Sequence, residues 1–199
     1  MRNTMKILIA TAAIASLAIQ PVLARPAGGS TSSNSMGISG SAANTCTLGA
    51  PTLGSTSDAT LSSATPSSGV VTISNFVDPS NAAYVDGISI TLNFDAMCNY
   101  ASKFQSETQS GAMLNSAPVV AGSGAFVSAL NYSALLQWAG QTSVLNTDGT
   151  ANKKGTLKSV NGANKGTASL SITLTAPANH PLLAGSFTDQ FTIQIGAAL

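Results

Sequence analysis

Alternation of apolar and polar residues dominates the chain after residue 24. In residues 186–195, large apolar side chains alternate with hydroxyl and amide side chains, and Asp189 is the single break on the apolar side. Similar alternation occurs over residues 88–96, 130–138 and 170–174, and no apolar stripe with helical spacing is present. A period of two places one face of a strand on a core and the other in water. The pattern therefore predicts an all-β domain, either a sandwich or a barrel.

The composition excludes several other classes of protein. The 199 residues include 8 Lys and Arg, 7 Asp and Glu and 1 His, so only 8% of the chain is charged. Ordinary soluble domains carry about 25% charged residues. A coiled coil needs many more charges on its outer faces, and a net charge of +1 cannot neutralise a nucleic-acid backbone. We therefore expect no nucleic-acid partner.

The first 24 residues have the pattern of a secretory signal peptide. Arg2 and Lys6 precede an uncharged apolar run over residues 7–19, and small residues at Val22 and Ala24 fit a cleavage site. The run is shorter than the roughly 20 residues that span a bilayer, although an uncleaved anchor is the alternative interpretation. We expect export to the periplasm and then to the cell surface or medium, with no membrane span after cleavage.

The remaining chain divides by composition into two parts. Residues 25–45 begin with a Gly-, Ser- and Pro-rich stretch and are predicted to be a flexible N-terminal extension, whereas residues 46–199 are predicted to be one β-sandwich domain. The domain contains the two cysteines, Cys46 and Cys98. Two cysteines in an exported chain predict a disulfide, which would close a loop of about 50 residues and contribute roughly 4 kcal/mol. Redox catalysis is the weaker alternative because no Cys-x-x-Cys pair occurs.

No constellation of residues points to catalysis or to a metal. His180 is the only imidazole, and it lies between Asn179 and Pro181 without a Gly-x-Ser-x-Gly elbow elsewhere in the chain. A lysine-rich stretch, residues 153–165, is predicted to be a solvated hairpin or loop, and an anion-binding patch is the alternative interpretation. The sequence therefore predicts a protein that is not an enzyme and that needs neither a cofactor nor a metal.

The order of these features resembles that of the spore-coat-U-type secreted pilins, the subunits of archaic chaperone–usher pili. A signal peptide is followed by a short alternating segment, residues 34–43, and then directly by Cys46. Cys98 ends a predicted strand about 50 residues later. Residues 183–193 match the terminal pattern of that family, which has Ala-Gly, an aromatic residue, Asp and an alternating strand.

The resemblance implies an immunoglobulin-like β-sandwich that lacks its last strand. A periplasmic chaperone would lend a strand, and an usher would assemble subunits into a surface fibre in which a neighbour's N-terminal extension adds the missing strand. Met36, Ile38 and Ala42 would be the donor residues. The residues implied to line or flank the acceptor groove, which the chaperone also covers, are Phe187, Phe191, Ile193 and Ile195.

Two other hypotheses remain open at this point. One is a self-contained secreted β-sandwich that binds a surface or a carbohydrate, for which Tyr84, Tyr100 or Trp138 would provide an exposed aromatic platform. The other is an exported hydrolase that uses His180. Completeness of the sandwich separates the first of these from the fibre subunit.

Overall fold

The computed structural model describes most of the predicted domain and the end of the extension. The residues described are 35–54, 56, 59–74, 76–85, 87–117, 125–175, 180–197 and 199. The predicted signal peptide lies outside them. The chain divides into two compact units, Met1–Ser41 and Ala42–Leu199, and every strand belongs to the second. Within the described residues, no helix is long and apolar enough to cross a membrane.

The described residues form β-strands and no α-helix, which confirms the predicted all-β fold class. In chain order the strands are β1 (Cys46–Leu48), β2 (Thr52–Leu53), β3 (Ala59–Thr65), β4 (Ser68–Ile73), β5 (Ser89–Cys98), β6 (Ser102–Thr108), β7 (Met113–Asn115), β8 (Ala129–Trp138), β9 (Gln141–Asn146), β10 (Lys158–Val160), β11 (Asn164–Thr175), β12 (Phe187–Thr188) and β13 (Phe191–Gly196).

The strands form one large sheet and two small ones. The large sheet has eight strands in the order β1-β5-β11-β8-β7-β12, with β2 also paired to β5 and β9 also paired to β8. A three-stranded sheet has the order β10-β6-β13, and β3 and β4 form a separate hairpin. The long antiparallel strands β5, β11 and β8 make the centre of the large sheet.

A single apolar core lies between the large sheet and the three-stranded sheet. On β5 and β8 every second side chain is buried, as the alternating sequence predicts. Aromatic rings join the two sheets: Phe104 of β6 meets Trp138 of β8 edge-to-face, with ring centroids 5.9 Å apart. This arrangement is that of a β-sandwich.

The predicted disulfide is present. Cys46 and Cys98 lie directly opposite each other in the antiparallel pair of β1 and β5, with their Cα atoms 4.1 Å apart. Cys98 is 1% exposed. The bridge spans a sequence separation of 52 residues, so loop closure in the unfolded chain gives it a stabilising effect of about 4 kcal/mol.

The prediction of one continuous strand over residues 186–195 is wrong in one respect. The segment is divided into β12, which extends the large sheet, and β13, which belongs to the three-stranded sheet. Asp189 and Gln190 lie between the two strands. The chain changes sheets at this point, where the Asp189 side chain bonds to groups of both sheets, as described below.

Candidate functional site

Strand β13 lies at one edge of the three-stranded sheet, where it is paired to β6. The register places Ile193 opposite Ser106 and Ile195 opposite Phe104, and directly opposed residues share one face of a sheet. Ser106 and Phe104 are 0% and 1% exposed. Ile193 and Ile195 point to the same core but are only partly buried. Because the two strands share a face, the difference in burial comes from the uncovered side of β13.

Phe191, at the start of β13, follows the same rule. It lies opposite Thr108, which is 0% exposed, while Phe191 itself is only partly buried. Its ring meets that of Tyr132 on β8 at a centroid distance of 6.5 Å. The three apolar side chains of β13 that face the core are therefore only partly buried, from the start of the strand to its end. We call the unpaired side of β13, together with Phe191, Ile193 and Ile195, the open edge.

The outward face of β13 is polar and carries no charge. Thr192 lies opposite Glu107, and the Gln105 side-chain amide donates a 2.8 Å hydrogen bond to the side-chain oxygen of Gln194. The strand contains neither a charged residue nor a proline. Natural sheet edges are commonly protected by such residues against pairing with other chains. The open edge lacks that protection.

The large sheet supplies the facing wall. Residues of β1 come within 8 Å of β13 between Cα atoms, but β1 is paired to β5 and β13 is paired to β6. Paired strands lie about 4.8 Å apart. An unpaired seam thus separates these two strands, with half-buried apolar side chains on the β13 side.

Asp189 fixes the position of β13 relative to both sheets. Its carboxylate accepts a hydrogen bond from the Tyr132 hydroxyl of β8 at 2.6 Å and another from the Thr108 hydroxyl of β6. It also accepts hydrogen bonds from the backbone N–H groups of Ser110, at 2.9 Å, and of Gln190, at 2.8 Å. The apparent break in the apolar pattern is therefore an inward-facing anchor whose oxygens are satisfied.

The tyrosine in this network is held in its protonated form. Burial raises the pKa of Tyr132 well above its ordinary value near 10, and the hydrogen bond to the Asp189 carboxylate raises it further. The hydroxyl therefore remains a donor to Asp189 through the neutral and mildly alkaline range. The bond ties the start of β13 to the large sheet.

β12 and the residues before it are also held by specific contacts. Gly185 has φ of +137°, and a Cβ there would come 2.7 Å from the Asn115 side-chain oxygen. The Asn115 amide donates a 2.9 Å hydrogen bond to the Leu183 carbonyl. Phe187 is 8% exposed and meets Phe76 edge-to-face at 5.9 Å. Of the four residues expected at the acceptor groove, Phe187 is thus a core residue of β12, and the other three form the open edge.

The donor residues expected from the sequence lie in the segment before β1. Met36 and Ile38 are 91% and 95% exposed, and Ala42 is exposed as well. The described residues of this segment, 35–45, belong to no strand.

The other candidate groups form no site. His180 is exposed, and no group of three or more His, Cys, Asp or Glu residues among those described could hold a metal. Lys153 forms an ion pair with Asp148 at 2.6 Å, and its hydrogen bond lowers the pKa of that carboxyl to about 2. Lys154 lies 3.8 Å from Glu107. Lys153 and Lys154 are thus paired with carboxylates.

The three aromatic residues considered for a carbohydrate platform, Tyr84, Tyr100 and Trp138, do not form an exposed one. Tyr84 and Trp138 are 9% and 3% exposed and belong to the core, so the exposure that would have favoured a carbohydrate-binding face is not found for these two residues. Tyr100 is partly buried, with its hydroxyl 3.2 Å from the Cys46 sulfur. A carbohydrate platform needs exposed rings, so these three residues do not provide one.

The open edge therefore combines a strand that is paired on one side only with three partly buried apolar side chains. Sequence reasoning found its three apolar residues from their alternation but missed β6, Asn115 and the role of Asp189. A comparison of the chain with protein-family models, curated proteins and solved structures found no match.

Proposed function

We propose that the protein is a structural subunit of a cell-surface fibre, assembled by strand donation. The N-terminal segment of one copy would pair with the open edge of the next and complete its sandwich. This role uses backbone hydrogen bonds and apolar contacts and requires no catalytic residue, cofactor or metal. It agrees with the resemblance to spore-coat-U-type pilins.

The observation that carries the proposal is the burial difference across one pair of strands. Phe104 and Ser106 on β6 are covered completely, whereas Ile195 and Ile193, their direct neighbours on β13, are covered only in part. A strand added beside β13 would bury these side chains and satisfy the free backbone groups together.

The N-terminal segment has suitable chemistry for the added strand. Met36, Ile38 and Ala42 share one parity, so they would point to the same face of an extended strand. Residues 36–42 would span about 20 Å at roughly 3.3 Å per residue, close to the length of a six-residue strand such as β13. The two large side chains are almost fully exposed, so they are available for a partner.

Export and chaperoning follow from the same proposal. A subunit with an unprotected edge is prone to non-specific pairing before assembly. A periplasmic chaperone would cover the open edge, and an usher would present subunits to one another in order. The predicted signal peptide would bring the chain to that compartment.

The test is assembly of the exported full-length chain. We expect a ladder of multimers in detergent gels of unheated samples, which heating converts to monomer. Deletion of residues 25–44 is expected to remove the ladder, and so is Ile193→Lys, which places a charge on the inward face of the open edge.

Thr192→Gln is the control for the second variant. Thr192 lies on the outward face opposite Glu107, so an uncharged polar side chain there adds no charge to the edge, leaves the inward face unchanged and should let the ladder persist. Urea unfolding of each variant establishes that it is folded. A wild-type protein that is strictly monomeric, stable and of full length would contradict the proposal and favour a self-contained binding module.

A further inference from the structure

Asn99 continues the pairing of β1 and β5 beyond the ends of both strands. Its side-chain oxygen accepts a 2.7 Å hydrogen bond from the Thr45 N–H, and its side-chain amide donates a 2.8 Å hydrogen bond to the Ala43 carbonyl. Its backbone N–H donates to the Thr45 carbonyl at 3.0 Å. Three hydrogen bonds thus hold the last residues of the N-terminal segment.

The disulfide holds the adjoining residue. Cys46 is bonded to Cys98, the residue immediately before Asn99, and the two cysteines are direct cross-strand neighbours. The Tyr100 hydroxyl lies 3.2 Å from the Cys46 sulfur. Three successive residues, Cys98, Asn99 and Tyr100, therefore contact the chain where it enters β1.

An asparagine is well suited to this position. Its amide offers an acceptor and a donor in one plane, so it reproduces the pattern of a peptide group and bonds to two successive backbone positions. Aspartate would keep the bond from Thr45 but would place an acceptor against the Ala43 carbonyl. Alanine would remove both side-chain bonds and keep only the backbone bond.

We propose that Asn99 is a positioning residue for strand donation, because it fixes the point and direction in which the N-terminal segment leaves the sandwich. The inference rests on the function proposed above. Holding Ala43 and Thr45 in advance reduces the conformational ordering that donation requires, and a pre-organised segment binds better because less of that cost remains.

The experiment measures donation and acceptance separately. Full-length Asn99→Ala is refolded from denaturant, and multimer formation is followed on unheated gels. We expect assembly to be roughly tenfold slower than that of the wild type, because more of the segment must be ordered when it binds. A labelled synthetic peptide of residues 34–43, added in trans, should bind the variant as it binds the wild type, because the open edge is unchanged.

The peptide arm distinguishes positioning from a general structural defect. Asn99→Asp should fall between the wild type and Asn99→Ala in assembly rate. Asn131→Ala, which changes an exposed asparagine of β8, is the control and should assemble normally. Equal assembly rates for Asn99→Ala and the wild type would overturn the inference, as would a parallel loss of peptide binding.

Failure of the proposed function has a different signature. In that case the wild type forms no multimers and binds no peptide, and the inference that depends on it falls too. If the wild type assembles and Asn99→Ala assembles equally fast, the function stands and only the role of Asn99 is refuted.

Discussion

The two flanks of β6 differ in how they are covered. On one side, residues 153–160 bond both to β6 and to the large sheet: the Gly155 N–H donates to the Ser106 carbonyl at 2.8 Å, and the Thr156 N–H donates to the Val144 carbonyl of β9 at 2.9 Å. On the other side, β13 bonds to β6 and faces β1 across an unpaired seam. The first flank closes the sandwich with the chain's own residues, whereas on the second flank β13 is paired to β6 on one side only.

The charges follow the same division. The closed flank carries Lys153, Lys154 and Lys158, two of which lie beside carboxylates. The open edge carries none. Lysines at an edge oppose pairing with another chain, so the distribution of charge itself discriminates between the flanks. Low overall charge matters here because it leaves the open edge uncharged.

The largest effect on stability is expected when a phenylalanine of β6 is replaced by alanine, compared with the same replacement on β13. Phe104→Ala should cost about 4 kcal/mol of the free energy of unfolding, because the side chain is fully buried, whereas Phe191→Ala should cost about 2 kcal/mol. Urea unfolding of the monomeric chain lacking residues 25–44 provides both values. Addition of the peptide of residues 34–43 should raise the cost of Phe191→Ala toward that of Phe104→Ala. Equal losses of unfolding free energy for the two variants without the peptide would contradict the difference in burial between β6 and β13.

The anchor of the open edge is tested by Asp189→Ala. This change leaves the Tyr132 and Thr108 hydroxyls without their shared acceptor, and we expect a loss of about 3 kcal/mol in urea unfolding. Asp95→Ala, at an exposed carboxylate of β5, is the control and should change stability by about 0.5 kcal/mol or less. A loss for Asp189→Ala as small as that of the control would refute the anchoring role.

The closed flank is tested by Gly155→Val. A Cβ at this position would come 2.7 Å from the Ser106 hydroxyl oxygen and 2.9 Å from that of Ser143, and both serines are fully buried. We expect a loss of about 2 kcal/mol from overpacking. Gly166→Val is the control, since a Cβ there has no atom within 4 Å. If both variants had the same denaturation midpoint, the tight contact of Gly155 with the two serines would be contradicted.

The smallest effect concerns pH. The folded protein holds the pKa of Tyr132 above that of the unfolded chain, so this group contributes stability below about pH 10 and loses it as pH rises further. Tyr132→Phe should therefore show a shallower loss of stability than the wild type between pH 8 and pH 11, measured by urea unfolding at each pH. Identical slopes would show that Tyr132 has the same pKa in both states.

The strands that alternation predicts are those with large inward side chains. β5, β8 and β11 have such residues, and they were predictable for that reason. β6 was not, because its inward side chains include Ser106 and Thr108, and Gln105 on the other face is also buried. Hydroxyl residues on a core face leave no hydrophobic period to detect. The strand that pairs with the open edge was thus the hardest to find.

The sequence by itself determined the all-β class, the disulfide and the amphipathic, uncharged character of β13, because these follow from local period, cysteine number and composition. Only the tertiary structure decided that Phe187 is covered and Ile193 is half-covered, and that Asp189 has partners in two sheets. Asp189 bonds to residues 57 and 81 positions away. Alternation predicts which face of a strand points inward. The residues that pack against that face depend on contacts between distant parts of the chain.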